Sequence, residues 1–351
     1  TGTKINPYAI EYDTTGNLDI SGYIDTYYAW YSDSVNYDAY CLFPTISPRK
    51  NQFGLNIAQI SAKYESRGFR GTATIFGGDC PRSAWSPQFN FIQEANVGFK
   101  IYRKLWLDAG FFRTHIGLES IQPRENITMS IATTTYFEPY FLSGAKLTWQ
   151  QSKKLAFQFN VFNSFNQFIE NNKNKAFGFS LAYSPNSKLN MTFSSITCDE
   201  SIDPALYKRQ RLYNNFILLY KNDHWILGFE GNFGIQRNSV LTDTTKTAIM
   251  SSVLAAVKYR VSPRWGIYSR VEYFSDPNEI LTGPVENANH QLVGVEIVGT
   301  TLGFEFKPIP NSYFRIEGRV LNTLSEAVIF NNGGSFANKR QEISAGLGFW
   351  F

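Results

Sequence analysis

Ile343, Ala345, Leu347, Phe349 and Phe351 occupy every second position at the end of the chain, and Glu342, Ser344, Gly346, Gly348 and Trp350 fill the places between. A period of two with one apolar face describes a strand that meets an apolar phase on one side. The pattern recurs where Leu155, Phe157, Phe159 and Val161 oppose Gln158 and Asn160, and where Trp265, Ile267, Val271 and Tyr273 oppose Arg270 and Glu272. Phe177, Phe179, Leu181 and Tyr183 form another such face, with Gly178 and Ser180 behind it. Followed along the chain, the alternation predicts about sixteen strands. The first eight fall at 17–31, 52–65, 68–78, 91–103, 105–113, 138–150, 155–165 and 174–184. The rest fall at 188–197, 210–221, 224–235, 246–260, 265–275, 290–307, 312–323 and 341–351. Within 290–307 the parity changes, because Val293, Val295 and Ile297 are odd and Leu302, Phe304 and Phe306 even; a bulge near Gly299 would reconcile them. Residues 1–16 have no clear period and are expected to form a periplasmic or luminal segment ahead of a barrel over 17–351.

The connections alternate between short and long. Ser66-Arg67-Gly68, Arg103-Lys104, Ser152-Lys-Lys154, Ser184-Pro-Asn-Ser187, Lys221-Asn-Asp223, Ser262-Pro-Arg264 and Pro308-Ile-Pro-Asn311 are short and carry turn residues. The long ones lie near 32–51, 79–90, 114–137, 166–173, 198–209, 236–245, 276–289 and 324–340. Short turns at one end and long loops at the other are the habit of bacterial outer-membrane barrels, whereas a sandwich has no reason to segregate them. The predicted fold is therefore all-β: a transmembrane antiparallel barrel with short periplasmic turns and long extracellular loops.

Composition sharpens this. The longest clean apolar stretches are pieces such as Phe216–Tyr220, too short for a membrane helix, which needs about 18 or more apolar residues. A barrel strand needs only about 9–11, half of them lipid-facing, so aromatics can reach 16% while mean hydropathy stays at −0.25. Tyr64, Phe69, Tyr102, Trp106, Trp149, Tyr183, Tyr220, Trp225, Tyr259, Trp265, Phe306 and Tyr313 flank the short turns, as an interfacial aromatic belt would. The net charge of +4 is spread along the chain, and no basic run implies a nucleic-acid partner. The chain opens at Thr1-Gly-Thr-Lys4, without a charged segment leading into an apolar core, so an exported protein would be in its mature form here. Cys41, Cys80 and Cys198 fall in segments read as loops; a Cys41–Cys80 bridge is compatible with an oxidising compartment, although spacing does not determine connectivity.

Two opening segments, Asp19-Ile-Ser-Gly-Tyr-Ile-Asp-Thr-Tyr-Tyr28 and Asn51-Gln-Phe-Gly-Leu-Asn-Ile-Ala-Gln-Ile60, resemble the first strands of the OmpL-like β-barrel porins, a family seen chiefly in Bacteroidota. The motif-level similarity covers roughly the first 65 residues, and beyond them the hairpin rhythm is shared. The resemblance implies a porin-type barrel, integral to the outer membrane, and brings no defined ligand residues with it. The last strand resembles the C-terminal assembly signal of such barrels, which implies that Phe349 and Phe351 are read by the barrel-insertion machinery.

If apolar faces meet lipid, the opposite faces line the lumen. An Arg or Lys facing lipid at mid-bilayer costs about 2–4 kcal/mol, so the side on which charges fall is an orientation signal. Glu94, Lys100, Lys258, Arg270, Glu272, Glu305, Lys307, Arg315, Glu317 and Arg319 are the expected pore-lining charges. The densest group lies on three consecutive strands, from Arg270 to Arg319. It reads either as an electrostatic ladder setting solute preference or as paired charges bracing the wall. A sixteen-stranded barrel encloses more space than wall side chains fill. The longest loop, 114–137, with Glu119, Arg124 and Glu125, is the candidate to narrow it, the alternative being an ordinary surface loop. Catalysis finds little support: His115, His224 and His290 accompany no GxSxG, HExxH or glycine-rich phosphate loop, and no metal or cofactor is implied. Loop aromatics Tyr37, Tyr40, Phe43, Trp85 and Phe89 suit either partner or glycan contact or packing among loops. The expected function is passive diffusion of small hydrophilic solutes or ions. The alternative is a loop-plugged barrel serving as a structural or partner-binding subunit of a larger complex. Homotrimeric assembly is compatible with either.

Overall fold

The computed structural model describes residues 16–34, 39–41, 43, 45–170, 173–201, 208–332 and 335–351. Residues 1–15 of the N-terminal segment, and Tyr37, lie outside the described residues. The first half of the barrel wall comprises β1 (Asn17–Tyr31), β2 (Phe53–Glu65), β3 (Phe69–Gly77), β4 (Ile92–Tyr102), β5 (Leu105–Arg113), β6 (Phe141–Trp149), β7 (Leu155–Phe162) and β8 (Ala176–Tyr183). The second half comprises β9 (Leu189–Asp199), β10 (Gln210–Lys221), β11 (Trp225–Gln236), β12 (Ala248–Arg260), β13 (Trp265–Asp276), β14 (Val295–Phe306) and β15 (Ser312–Thr323). A small hairpin, β16 (Phe330–Asn332) and β17 (Ser335–Ala337), stands in the last long loop, and β18 (Lys339–Trp350) completes the wall. Each wall strand pairs antiparallel with its neighbours, and β1 closes on β18 from Tyr23↔Trp350 to Tyr31↔Glu342. Closure leaves no unpaired edge among the wall strands, which hydrocarbon would not tolerate.

The alternating faces fall as their polarity requires. Ile20, Ile60, Phe99, Ile267, Leu302, Ile343 and Leu347 are exposed on the outside, where lipid replaces water. Tyr102, Trp149, Tyr183, Trp225 and Trp265 are exposed beside the short turns, at headgroup depth. Tyr313 departs from the expected belt. It points inward, fully buried, and donates from its hydroxyl to Asp25 Oδ1 at 2.5 Å.

Three expectations need correcting. No bulge interrupts β14, whose register runs unbroken from Val295 to Phe306 against β13. Its odd positions all face inward, Val295 and Ile297 included. Near the external rim those inward positions join an apolar cluster with Phe112, Phe162, Tyr213, Phe274, Leu321 and Phe330, so the side facing the lumen is itself greasy there. The sixth wall strand starts at Phe141 rather than 138, after Pro139, which has no N–H for a ladder. The cysteines are free and buried, and Cys198 lies within β9 rather than in a loop. Each belongs to a different apolar cluster, which separates Cys41 from Cys80.

Gly110 and Gly144 face each other across β5 and β6, at φ of 133° and 158°. A Cβ at Gly110 would meet the Ala95 carbonyl at 2.2 Å, and one at Gly144 the Val161 carbonyl at 2.0 Å. Only glycine fits such a close approach at those angles. Just beyond this pair the chain leaves the wall.

Candidate functional site: a loop folded across the lumen

The connection after β5 turns inward. At its start the His115 carbonyl accepts a hydrogen bond from Ser194 Oγ (2.8 Å), and the imidazole Nε2 lies 3.3 Å from the Ser195 carbonyl on β9. Burial pushes the His115 pKa down to about 4. Gly117 N donates to Asn215 Oδ1 and Leu118 N to Glu230 Oε2, at 3.3 and 2.7 Å. The chain then crosses the barrel. Gln122 donates through Nε2 to Gln59 on β2 and Gln93 on β4, at 2.9 and 3.1 Å. A 3-10 turn, Pro123–Glu125, follows, and Arg315 donates to the carbonyls of Pro123, Asn126 and Thr128 at 2.8, 3.3 and 2.9 Å. Met129 N and Ser130 N donate to Glu317 at 2.7 and 3.1 Å, and Thr133 N to Glu272 at 2.5 Å. A short helix, α1 (Asp79–Ala84), belongs to an outer loop; a second, α2 (Thr133–Phe137), ends the crossing.

A loop inside a barrel carries backbone N–H groups that must find acceptors. Here wall carboxylates supply them, as charge-assisted bonds. The loop is also tied to itself. Glu119 accepts from Ala132 N at 2.6 Å and Thr135 Oγ1 at 3.1 Å, and pairs with Arg270 at 2.8 Å. Arg270 further donates to Thr128 Oγ1 (2.8 Å) and to the carbonyl and hydroxyl of Ser130 (2.7 and 3.1 Å). From Arg270 the charges alternate along the wall through Glu272 and Arg319 to Glu342 and Arg340.

Arg270, Glu272, Glu305, Arg315, Glu317, Arg319 and Lys258 thus come together, buried where loop meets wall, with Lys258 and Arg315 also bordering a cavity. Arg270, Arg315 and Arg319 are each at most 2% exposed. Lys258 and Arg315 share Glu305, at 3.0 and 2.7 Å, and the half-exposed Lys307 approaches it at 3.8 Å. Glu94 and Lys100 lie apart on β4, Glu94 towards Arg113 N and Lys100 over the Trp106 ring. Phe349 and Phe351 sit on the outer face, with the Phe351 ring over Gly22. The three histidines are scattered: His115 inside, His224 stacked on Tyr259 at a short turn, His290 exposed beside Glu286. Among the described residues no group of three or more His, Cys, Asp or Glu side chains could hold a metal.

One feature was hidden in the sequence. Glu138 faces Glu230, and its Oε1 accepts from Tyr213 at 2.6 Å. Burial first, and the Glu230 charge second, hold the Glu138 carboxyl well above the usual range, which favours its protonated form. Residue 138 reads as the start of a strand; the only local signal is the proline after it, which ends the loop there.

Two cavities flank the crossing. An external one of about 450 Å³ is lined by Trp85, Glu94, Arg113, Thr114 and Tyr140, and a periplasmic one of about 220 Å³ by Lys221, Lys258, Arg260 and Lys307. Both also touch Leu118, Glu119 and Glu125, so segment 118–125 is a wall common to the two.

Comparisons with known proteins agree with this architecture. Among solved structures, an anion-selective porin from Comamonas acidovorans matches with a TM-score of 0.65 at 10% identity, covering 96% of this chain and 100% of that one. The outer-membrane channel DcaP of Acinetobacter baumannii matches at 0.64 and 8%, covering 97% and 99%. OmpT of Vibrio cholerae matches at 0.61 and 11%, covering 96% and 98%. These likenesses show the fold. No curated protein matches the sequence. The family model "Putative beta-barrel porin-2, OmpL-like" matches residues 17–351, the whole of the barrel. The chain therefore belongs to the OmpL-like β-barrel porin family and is an integral channel protein of the outer membrane.

Proposed function

We propose that small hydrophilic solutes and ions diffuse passively through this barrel and that the inward loop, 114–137, is the element that decides which of them pass. The observation that carries this is the position of segment 118–125, which separates the external from the periplasmic cavity with Glu119 and Glu125 facing both. The lumen charges support a sieving role, because mixed fixed charges in a narrow, low-dielectric passage discriminate among ions. A channel of this kind catalyses nothing and needs no cofactor. The charges anchor the loop as well: reversal at Arg315 or Arg319 disturbs its docking before it alters selectivity. The outer aromatic face, with Phe349 and Phe351 at the last strand, supports recognition by the insertion machinery and contact with lipid.

The test is single-channel conductance of the purified full chain in a planar bilayer, in potassium chloride and in potassium gluconate. Discrete, voltage-tolerant steps that shrink with the larger anion are the expected result. The same interlock of loop and wall favours one rival, a barrel sealed by its own loop and acting as a structural or partner-binding subunit. A silent bilayer after confirmed insertion supports that rival and overturns diffusion.

A further inference from the structure

The periplasmic cavity has a charge balance that its own fold does not settle. Six cationic side chains line it: Arg124, Lys221, Lys258, Arg260, Lys307 and Arg315. Two carboxylates line it as well, yet each is ion-paired to a cation that lies outside it, and Glu125 has Arg124 of the lining beside it. Glu119 pairs with Arg270, and Glu125 with Arg113. One carboxylate behind the lining, Glu305, is shared by Lys258, Lys307 and Arg315. Arg124, Lys221 and Arg260 have no carboxylate within salt-bridge distance among the described residues. Arg260 donates to the Asn222 and Asp223 carbonyls, which position it without neutralising it, whereas Arg124 stacks over Tyr23, donates to Gln122 and stands beside the Glu125 charge.

The other part of the lining is apolar. Leu118 and Ile127 of the inward loop meet Leu219, Ile226 and Ala256 of the wall, side chains that face the lumen although the opposite side is the one bathed in lipid. Apolar side chains that face a lumen beside unneutralised cations match a solute with both characters. A cavity of about 150 Å³ suffices for a benzene-sized ring, and this one measures about 220 Å³.

We propose that the periplasmic cavity is a binding site for a small organic anion, a carboxylate or phosphate monoester on a compact apolar body. The anionic group sits among Lys221, Arg260 and Lys307, and the body lies against Leu219, Ile226 and Ile127. The inference deepens the channel reading by naming a solute class, and rests on it only for the ligand's route.

The experiment titrates benzoate, inorganic phosphate and benzyl alcohol into the full chain, folded in nonionic detergent, and reads binding by ligand-observed NMR. Saturable benzoate binding is expected, with benzyl alcohol at least about tenfold weaker, as loss of a charge-assisted contact implies. The double variant Lys221→Gln with Arg260→Gln weakens benzoate about tenfold or more. Ile226→Gln weakens benzoate and leaves phosphate unchanged. If the double variant fails to fold, the wild type still decides. Raising potassium chloride from about 20 to about 300 mM screens the cations and must weaken benzoate. Equal affinity for benzyl alcohol, or benzoate binding indifferent to both the double variant and salt, overturns the proposal. Conductance steps without benzoate binding overturn the site and leave the channel. Benzoate binding in a barrel silent in the bilayer overturns the channel and leaves the site.

Discussion

Replacing Arg270 with methionine removes the central tie of the inward loop while keeping an unbranched side chain in its place. The guanidinium is 1% exposed and reaches Glu119, Thr128, Ser130 and Glu272. Glu272 keeps Arg319 and the Thr133 amide, so it remains paired. Glu119 has only Arg270 as a cationic partner among the described residues and is left as a buried charge with hydroxyl and amide donors alone. Breaking a buried pair in this way costs about 3–5 kcal/mol. That cost falls on docking of the loop, since β13 retains its ladder to both neighbours. At about 1.4 kcal/mol per decade, the undocked population rises between about a hundredfold and a few thousandfold. Limited trypsinolysis at Arg124 reads this directly, because cleavage of a transiently opened segment follows its open population when closing is fast. R270M is expected to be cut at Arg124 at least about a hundred times faster than wild type, and to show larger conductance steps. Arg270→Lys, which keeps the charge but lacks the planar fork, should fall between the two. Unchanged cleavage in a folded R270M barrel would refute the claim that Arg270 holds the loop.

Acid should loosen the same loop. His115 titrates at about 4 when docked, against an ordinary value of about 6.5 when free. The docked state then binds fewer protons, so docking is fully favoured above about pH 6.5 and loses up to about 3 kcal/mol as pH falls to 4; proteolysis at Arg124 across that range checks this, and H115Q should flatten the response. Glu138 acts in the opposite sense, since its raised pKa makes docking strongest at low pH and weaker as pH rises through the docked value. E138Q, permanently neutral, should lose that weakening, its proteolysis no longer rising as the pH is raised. Gly110→Ala places a Cβ 2.2 Å from the Ala95 carbonyl at φ 133°, and should lower the barrel's urea stability by about 1–3 kcal/mol. At the seam, a Cβ at Gly22 would lie 2.4 Å from the Phe351 ring; Gly22→Leu and Phe351→Ala should each reduce the yield of heat-modifiable, folded barrel in the outer membrane.

The wall was legible because lipid enforces a strict rule on every second residue, and short turns punctuate it with Gly, Pro, Asn and Ser. The rule carries a sign only where one side is lipid and the other water. Near the external rim both sides of the wall are apolar, as Val295, Ile297 and Phe141 show, and there the strand starts and the supposed bulge went astray. The charges of the candidate site could be placed on the inner face for the same reason that the lipid face was clear. Whether they stand in open water or against a loop depends on distances between residues more than a hundred positions apart, which no local period records. Glu119, Arg124 and Glu125 were visible as charges in the longest loop; that Glu119 and Arg270 would meet was not. The Gly110–Gly144 pair was equally silent, because a glycine in a strand looks the same whether it bends the wall or merely thins it.

The inward loop leaves the wall at residue 113, but the wall carboxylates that accept its backbone N–H groups, from Glu230 to Glu317, belong to β11, β13 and β15. The order of events during folding follows from this. A chain threaded into the membrane hairpin by hairpin offers the loop Gln59 and Gln93 at first, the carboxylates for its backbone N–H groups arrive with later strands, and the β1–β18 seam joins residues more than three hundred positions apart. Contacts of such long range form late. The loop is thus held through Gln122 while the second half of the wall forms, and its full docking comes with the closing of the barrel.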